Sequence, residues 1–416
     1  MNRIGRISVV SLVAAGLALG CARPAAAAAA AEPGVTDDAC RTAVTYRGQP
    51  LREAPALPAI AGDLKGELGA DVVARLRQAV IKAQQATNAP SMTVAVAVPG
   101  TGLWTTEMIG ATPRDAVAAG QGQAQSHAPL HYWASAGKTF TAVVILQLVE
   151  EGKLSLGDKV SRWIKDVPNG DAMTIEHLLA HTSGLFSANE DLKVRKAHRY
   201  HSPVENLAVA KKHGPLFCPG EAWRYSNTGY DLLGMIIERV DGRPFPDAIQ
   251  ARIIAPLGLT RIRVLRPGAG QGTGPAEPLA DMASLVSAKE RPIDPRWPGA
   301  AGAIAASADD MLRVWHALLT HRLLKAATVQ QMFARLYPMF TPVEFYGLGV
   351  MCFDVPQADG TKATWLGHAG GTPGAGAIVA FSAAEGAFVA VALTGDGSAP
   401  ATANLLLREL FAISRK

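Results

Sequence analysis

At 416 residues the chain exceeds what one hydrophobic core usually serves, so two domains or one large composite are expected. Hydrophobic residues make up 49% and charged residues 18%, a globular balance that excludes a largely disordered chain. The net charge of +5 falls to +2 once Arg3, Arg6 and Arg23 of the leader are set aside, so the balance carries no nucleic-acid footprint.

Residues 1–31 read as a signal peptide. Arg3 and Arg6 form a positive start, Ile7–Leu19 is apolar but too short to span a bilayer, and Ala25–Ala31 offers small-residue cleavage positions. A periplasmic or secreted protein is the expectation. Leu17-Ala18-Leu19-Gly20-Cys21 also resembles a lipobox, so a membrane partner enters only if Cys21 is lipidated. Residues 32–60, rich in Pro, Ala and Gly, read as a linker. Without Cys21, three cysteines remain (Cys40, Cys218 and Cys352), an odd number that allows one bridge without choosing it.

Asp71–Ala86 carries an apolar stripe at helical spacing. Met92–Val98 and Leu103–Ile109 read as strands around a Pro99-Gly100 turn, and Ala118–Ala128 as a loop. Ala134–Val149 is a long, mainly apolar segment and predicts a buried helix. The middle section predicts helices at Ile175–Leu179 and Asp231–Val240. Beyond Ala301 come a helix at Asp309–Leu319, strands at Gly347–Phe353, Thr361–Leu366, Gly376–Phe381 and Phe388–Leu393, and a helix at Ala401–Ile413. Short turns between strands imply antiparallel pairing. The expected fold is α/β: an antiparallel sheet flanked by helices, from residues 61–145 and 285–416, with a mainly helical domain (146–284) inserted.

Three short motifs carry chemistry. Ser135-Ala136-Gly137-Lys138 is an S-x-x-K tetrad; residues three apart share a helix face, and a lysine desolvated against apolar residues has a reason to lose its proton. For an isolated tetrad, a Ser N-cap followed by a solvated Lys is the commoner outcome. Tyr225-Ser226-Asn227 offers a phenol that can exchange protons beside a cation and an amide that can hold a lysine; an Asx turn is its bland counterpart. Gly367-His368-Ala369-Gly370-Gly371-Thr372-Pro373-Gly374 brings clustered glycines that permit close approach and a histidine that can move a proton. A glycine-rich hairpin turn would contain the same residues.

In this order the motifs resemble those of the serine β-lactamases and penicillin-binding proteins: S-x-x-K, Y-[AS]-N, and K-T-G or H-x-G. The class C β-lactamase branch, with its DD-peptidases and esterases, is the most similar. Lys153–Asp158, His177–Gly184 and Tyr346–Gly349 also look like that branch, and the likeness runs from about Asp71 to the C-terminus. The resemblance implies an acyl-enzyme on Ser135. Lys138 and Tyr225 would share its proton, Asn227 would orient lysine and substrate, and His368 and Gly370 would line the strand. The backbone N–H groups of Ser135 and Gly371 would form the oxyanion hole. It implies no metal and no organic cofactor.

K-T-G is replaced here by His368-Ala369-Gly370, which lacks the hydroxyl and the fixed charge that hold a substrate carboxylate. The expected substrate is therefore an uncharged ester or amide, ahead of a D-Ala-D-Ala peptide and then a β-lactam. The G-x-S-x-G elbow of the α/β-hydrolases is absent. His177 and His181, four apart, suggest a zinc pair, but H-E-x-x-H is missing. A non-catalytic ligand-binding relative is disfavoured because Ser135, Lys138 and Tyr225 are all present.

Overall fold

The computed structural model describes residues 40–42, 44–110, 112–115, 129–266, 285, 287–357 and 359–411. The segment read as a signal peptide (1–31), the Ala118–Ala128 stretch and the end of the last predicted helix lie outside them. Nine strands form one antiparallel sheet, in the order β3-β2-β1-β12-β11-β10-β9-β8-β7. These are β1 (Ser91–Val98), β2 (Gly102–Ile109), β3 (Thr112–Asp115), β7 (Tyr337–Pro338), β8 (Glu344–Tyr346), β9 (Met351–Pro356), β10 (Lys362–Thr372), β11 (Ala375–Ser382) and β12 (Ala387–Thr394). Among the described residues the first strand pairs with the last, Met92 opposite Leu393 and Ala97 opposite Phe388. A second sheet joins β4 (His131–Tyr132), β6 (Ile304–Ala306) and β5 (Ile262–Val264) in the order β4-β6-β5.

Side-chain alternation decides what each face of the large sheet covers. Val389, Val391 and Leu393 of β12, with Met92, Val94 and Val96 of β1, face α1 (Ala70–Thr87) and the C-terminal helix α10 (Ala399–Phe411). The intervening Phe388, Ala390, Ala392, Ala95 and Ala97 belong to the other core. That core also holds α2 (Lys138–Glu150), α6 (Asn227–Asp241) and α8 (Ala308–Leu319). The remaining helices are α3 (Ile175–Leu179), α4 (Leu192–Ala197), α5 (Pro203–His213), α7 (Phe245–Ile249) and α9 (Ala326–Met332). Small alanines on this face let the helices lie close to the strands. Among the described residues no helix is long and apolar enough to cross a membrane.

Three expectations need correction. The described part of the 32–60 segment is no free linker. Tyr46, Leu51, Leu57 and Ile60 pack against the core, Arg52 pairs with Asp354 at 2.7 Å, and Cys40 is bridged to Cys218 with a Cα–Cα distance of 5.5 Å. Gly347–Val350 is a turn rather than strand; Gly349 takes φ +71°, outside the extended region, and the strand begins at Met351. The dividing line drawn at 145/146 falls inside α2, which runs unbroken to Glu150.

The bridge spans 178 residues of sequence and ties the N-terminal segment to the loop before Tyr225. Closing a loop of that size restricts the unfolded chain and contributes about 2–4 kcal/mol. Cys218→Ser is expected to lower the thermal midpoint, and dithiothreitol to lower it in the parent but not in the variant. Equal midpoints for parent and variant would contradict a stabilising bridge.

Candidate active site

The S-x-x-K motif sits where both sheets and the helices meet. A short 3-10 turn, Ala134–Gly137, leads directly into α2, so Ser135 lies one turn before the helix that was expected to contain it. The turn is held from several sides. Trp133 donates its backbone N–H to Ile304 O at 2.9 Å and its indole N–H to Ala306 O at 3.0 Å. Ala134 is forced to φ +45°, and Gly302 abuts it so closely that a Cβ there would stand 2.5 Å from Ala134 O. Strand β10 crosses on the other side. A Cβ at Gly370 would lie 2.1 Å from Trp133 O and 2.9 Å from Ser135 N, so only glycine fits. At exposed Gly371 an added Cβ meets nothing nearer than Ala375 O at 3.9 Å.

Lys138 is fully buried on α2, and its Nζ lies 3.2 Å from Ser135 Oγ, 2.6 Å from Asn227 Oδ1 and 2.7 Å from Ala301 O. Burial pulls its pKa well below the ordinary lysine value, against the opposing influence of the buried Asp231 carboxylate. A neutral amine has two N–H bonds and one lone pair. The neutral form favoured by that burial gives its two N–H bonds to the two carbonyl-type oxygens, which can only accept, and turns its lone pair to the Ser135 hydroxyl; the ammonium form donates to all three oxygens.

Asn227 cannot flip easily. Its Nδ2 donates to Asn189 Oδ1 at 3.0 Å and its backbone N–H to Ser187 Oγ at 2.9 Å, while Ser187 donates to the same Asn189 oxygen at 2.6 Å. It opens α6, whose N-cap is Ser226. Tyr225 therefore leaves the loop immediately before a capped helix. Its ring lies 4.7 Å beneath Lys138 Nζ. Burial raises the phenol's pKa, and a hydrogen bond with Ser135 draws it partly back. Ser135, Lys138, Tyr225 and Asn227 thus form one cluster.

His368 stands differently. The whole His368–Thr372 stretch lies within β10, and the hairpin turn falls after it. The ring is fully buried, with Nδ1 donating to Ala369 O at 2.6 Å and Nε2 3.1 Å from the Tyr346 hydroxyl. Burial first, then Lys138, lowers its pKa to about 3, so it is neutral and supplies no charge for a substrate carboxylate. Tyr346 in turn lies 3.2 Å from the Tyr230 hydroxyl, which donates to Leu179 O. These two tyrosines behind the site were not singled out in the sequence; Tyr346 lies in the Tyr346–Gly349 stretch noted only for its family likeness. The i, i+4 helical pairing of His177 and His181 is not found: α3 ends at Leu179, His181 takes φ +61°, and His177 Nδ1 accepts from Thr174 N–H.

A hydroxyl bracketed by a buried amine and a phenol is the equipment of a serine hydrolase. In agreement, the chain belongs to the Beta-lactamase family, whose sequence profile matches residues 76–412. Penicillin-binding protein 4* of Bacillus subtilis (strain 168) is 40% identical over 139 residues, 32% of this chain and 30% of that protein. Protein flp of Staphylococcus aureus (strain N315) is 37% identical over 134 residues, 30% of this chain and 26% of that protein. The chain thus spans less than a third of the length of these two curated relatives. Among solved structures, the D-stereospecific amidohydrolase from Streptomyces sp. superposes with a TM-score of 0.66 at 28% identity, covering 81% of this chain and 98% of that one. The D-amino acid amidase from Ochrobactrum anthropi SV3 gives 0.68 at 22% identity, covering 83% and 100%, and speaks for the fold alone.

Two measurements test the geometry. Gly370→Ala is expected to lower turnover at least about tenfold, by displacing the Ser135 turn, while Gly371→Ala stays within about threefold of the parent. The reverse order would contradict the packing described. The second is pH-dependent stability. His368 at about 3, and His131 and His177 at about 4, all lie below their unfolded value of 6.5, so below that pH the unfolded chain binds more protons and stability falls. The carboxylates of Glu151, Asp191 and Glu205, lowered by ionic hydrogen bonds, act in the same direction further down. Asp231, raised by burial to about 8, works oppositely between 3.8 and that value. The thermal midpoint should therefore drop steadily from pH 6 to pH 4; a rise would overturn the buried-neutral histidines.

Proposed function

We propose that the protein is an exported hydrolase that forms an acyl-enzyme on Ser135 and turns over uncharged esters or amides. The observation that carries this reading is the setting of Lys138: fully buried, with its Nζ 3.2 Å from Ser135 Oγ and its other neighbours two carbonyl-type oxygens, so that the neutral amine can turn its lone pair to Ser135. Lys138 accepts the serine proton as Oγ attacks the carbonyl carbon. Tyr225, hydrogen-bonded to the same serine, passes a proton to the leaving group. The backbone N–H groups of Ser135 and Gly371 stabilise the oxyanion, each contributing about 3–4 kcal/mol. Water then releases the acyl group by the same proton route in reverse.

Preference for an uncharged substrate is supported by the neutral, fully engaged His368 and by Ala369, which has no hydroxyl to offer a carboxylate. An amino-acid amide is the second reading. Such a compound lacks a carboxylate where this site lacks an anchor, and the Streptomyces structure is named for D-stereospecific amide chemistry. A D-Ala-D-Ala peptide or a β-lactam, each bearing a carboxylate, fits less well. Export is supported by the charge and hydropathy pattern of residues 1–31 and by the Cys40–Cys218 bridge, since disulfides persist in oxidising compartments. The small-molecule substrate is the proposed partner.

The test compares p-nitrophenyl butyrate, D- and L-phenylalanine amide and nitrocefin on the parent and Ser135→Ala. Ester or amide turnover that exceeds nitrocefin turnover and vanishes in Ser135→Ala is expected. Dominant nitrocefin cleavage would overturn the substrate preference, and unchanged ester turnover in the variant would overturn the mechanism.

A further inference from the structure

His181 is fully buried next to the cluster and takes φ +61°, a left-handed conformation that non-glycine residues hold only when their surroundings impose it. What imposes it is the loop carrying Tyr225. The His181 carbonyl accepts the N–H of Arg224 at 2.9 Å, and its Nδ1 accepts the N–H of Ser226 at 3.1 Å. Both residues flanking Tyr225 are thus bonded to one histidine. Its ring lies against the Tyr225 ring, with centroids 4.1 Å apart and planes tilted by 35°. The neighbouring backbone continues the ladder, with Gly220 N–H donating to Thr182 O and Leu216 N–H to Gly184 O, both at 2.8 Å.

The ring's protonation follows from these contacts. Nδ1 accepts an N–H, so the proton sits on Nε2, which has no hydrogen-bond partner among the described residues. Tyr230 and Tyr346 stand 5.1 and 4.5 Å away, centroid to centroid, and complete an aromatic enclosure. Burial and the nearness of Lys138 keep the imidazole neutral. A ring so enclosed is cut off from bulk water and touches no reacting atom.

We infer that His181 is a positioning residue for Tyr225: its two main-chain hydrogen bonds on either side of the tyrosine, with the stacked ring, set where the phenol hydroxyl stands relative to Ser135. The inference rests on the reading that Tyr225 moves a proton in acyl transfer. A histidine serving general stability would spread its contacts over the helices, whereas both of these bonds fall on the residues bracketing one side chain. The main-chain carbonyl that accepts from Arg224 survives either substitution; asparagine also carries an oxygen where histidine carries Nδ1 and tolerates the left-handed backbone, so His181→Asn loses only the stacked ring, whereas His181→Ala loses both the ring and the side-chain acceptor.

Burst kinetics with p-nitrophenyl butyrate test this on the parent, His181→Asn, His181→Ala, Tyr225→Phe and the double variants, with thermal midpoints recorded alongside. The expected result is acylation about 10- to 100-fold slower in His181→Ala, with KM within about threefold of the parent and partial recovery in His181→Asn. In the Tyr225→Phe background the His181 substitutions should add no further slowing, because the group they position is gone. Should His181→Ala not fold, His181→Asn and its double variant complete the cycle. Slowdowns that multiply in the double variant, or parental acylation in His181→Ala, would overturn the inference. Ester turnover independent of Ser135 would instead overturn the hydrolase reading, a separate outcome.

Discussion

An amine buried between two oxygen acceptors is the constraint around which the site is organised. Lys138 has no exposed surface, and a buried ammonium without a close carboxylate partner is costly, so the neutral form is favoured. The same burial that disfavours the charge would make the amine the base that the proposed mechanism requires. It also demands that both N–H bonds be satisfied, and this is what Asn227 Oδ1 and Ala301 O do. Each acceptor comes from a different part of the chain. Asn227 opens α6, held by Ser187 and Asn189, and Ala301 lies in the turn that packs on Ala134 through Gly302.

The sheet gives that arrangement its rigidity. β1 and β12 are far apart in sequence yet pair along their length, so the two ends of the described chain close one platform. On one face the large aliphatics of alternate positions bind α1 and α10; on the other, alanines let the catalytic turn and its helices approach. β10 passes beside Ser135 at a separation that leaves no room for a side chain at Gly370.

Much of this could be read from the chain. Alternation located β1, short apolar runs separated by glycines located β11 and β12, and apolar spacing located α1, α6 and α8 to within a few residues. The three motifs named the residues that gather around Ser135, because side chains that must meet leave characteristic spacings. What escaped depends on long-range contact. No local pattern chooses Cys218 for Cys40 across 178 residues. The Pro- and Ala-rich composition of the 32–60 segment hides the packing of Tyr46 and Leu51. Gly347-Leu348-Gly349 has the apolar character of a strand, and only the left-handed backbone at Gly349 reveals a turn. His181 was weighed as half of a zinc pair, a notion that assumed a helix longer than the one ending at Leu179. His368 was read as a partly charged group, and its fully enclosed surroundings make it neutral.

The central claim is that the neutral Lys138 amine activates Ser135. It is tested most directly by labelling with a fluorophosphonate at neutral pH, followed by peptide mass spectrometry of the parent and Lys138→Met. A single adduct on the peptide containing Ser135, formed at least about a hundredfold more slowly in a Lys138→Met variant that retains its fold, is the expected result. Labelling of Ser135 at an equal rate without the lysine, or an adduct on another residue, would contradict it.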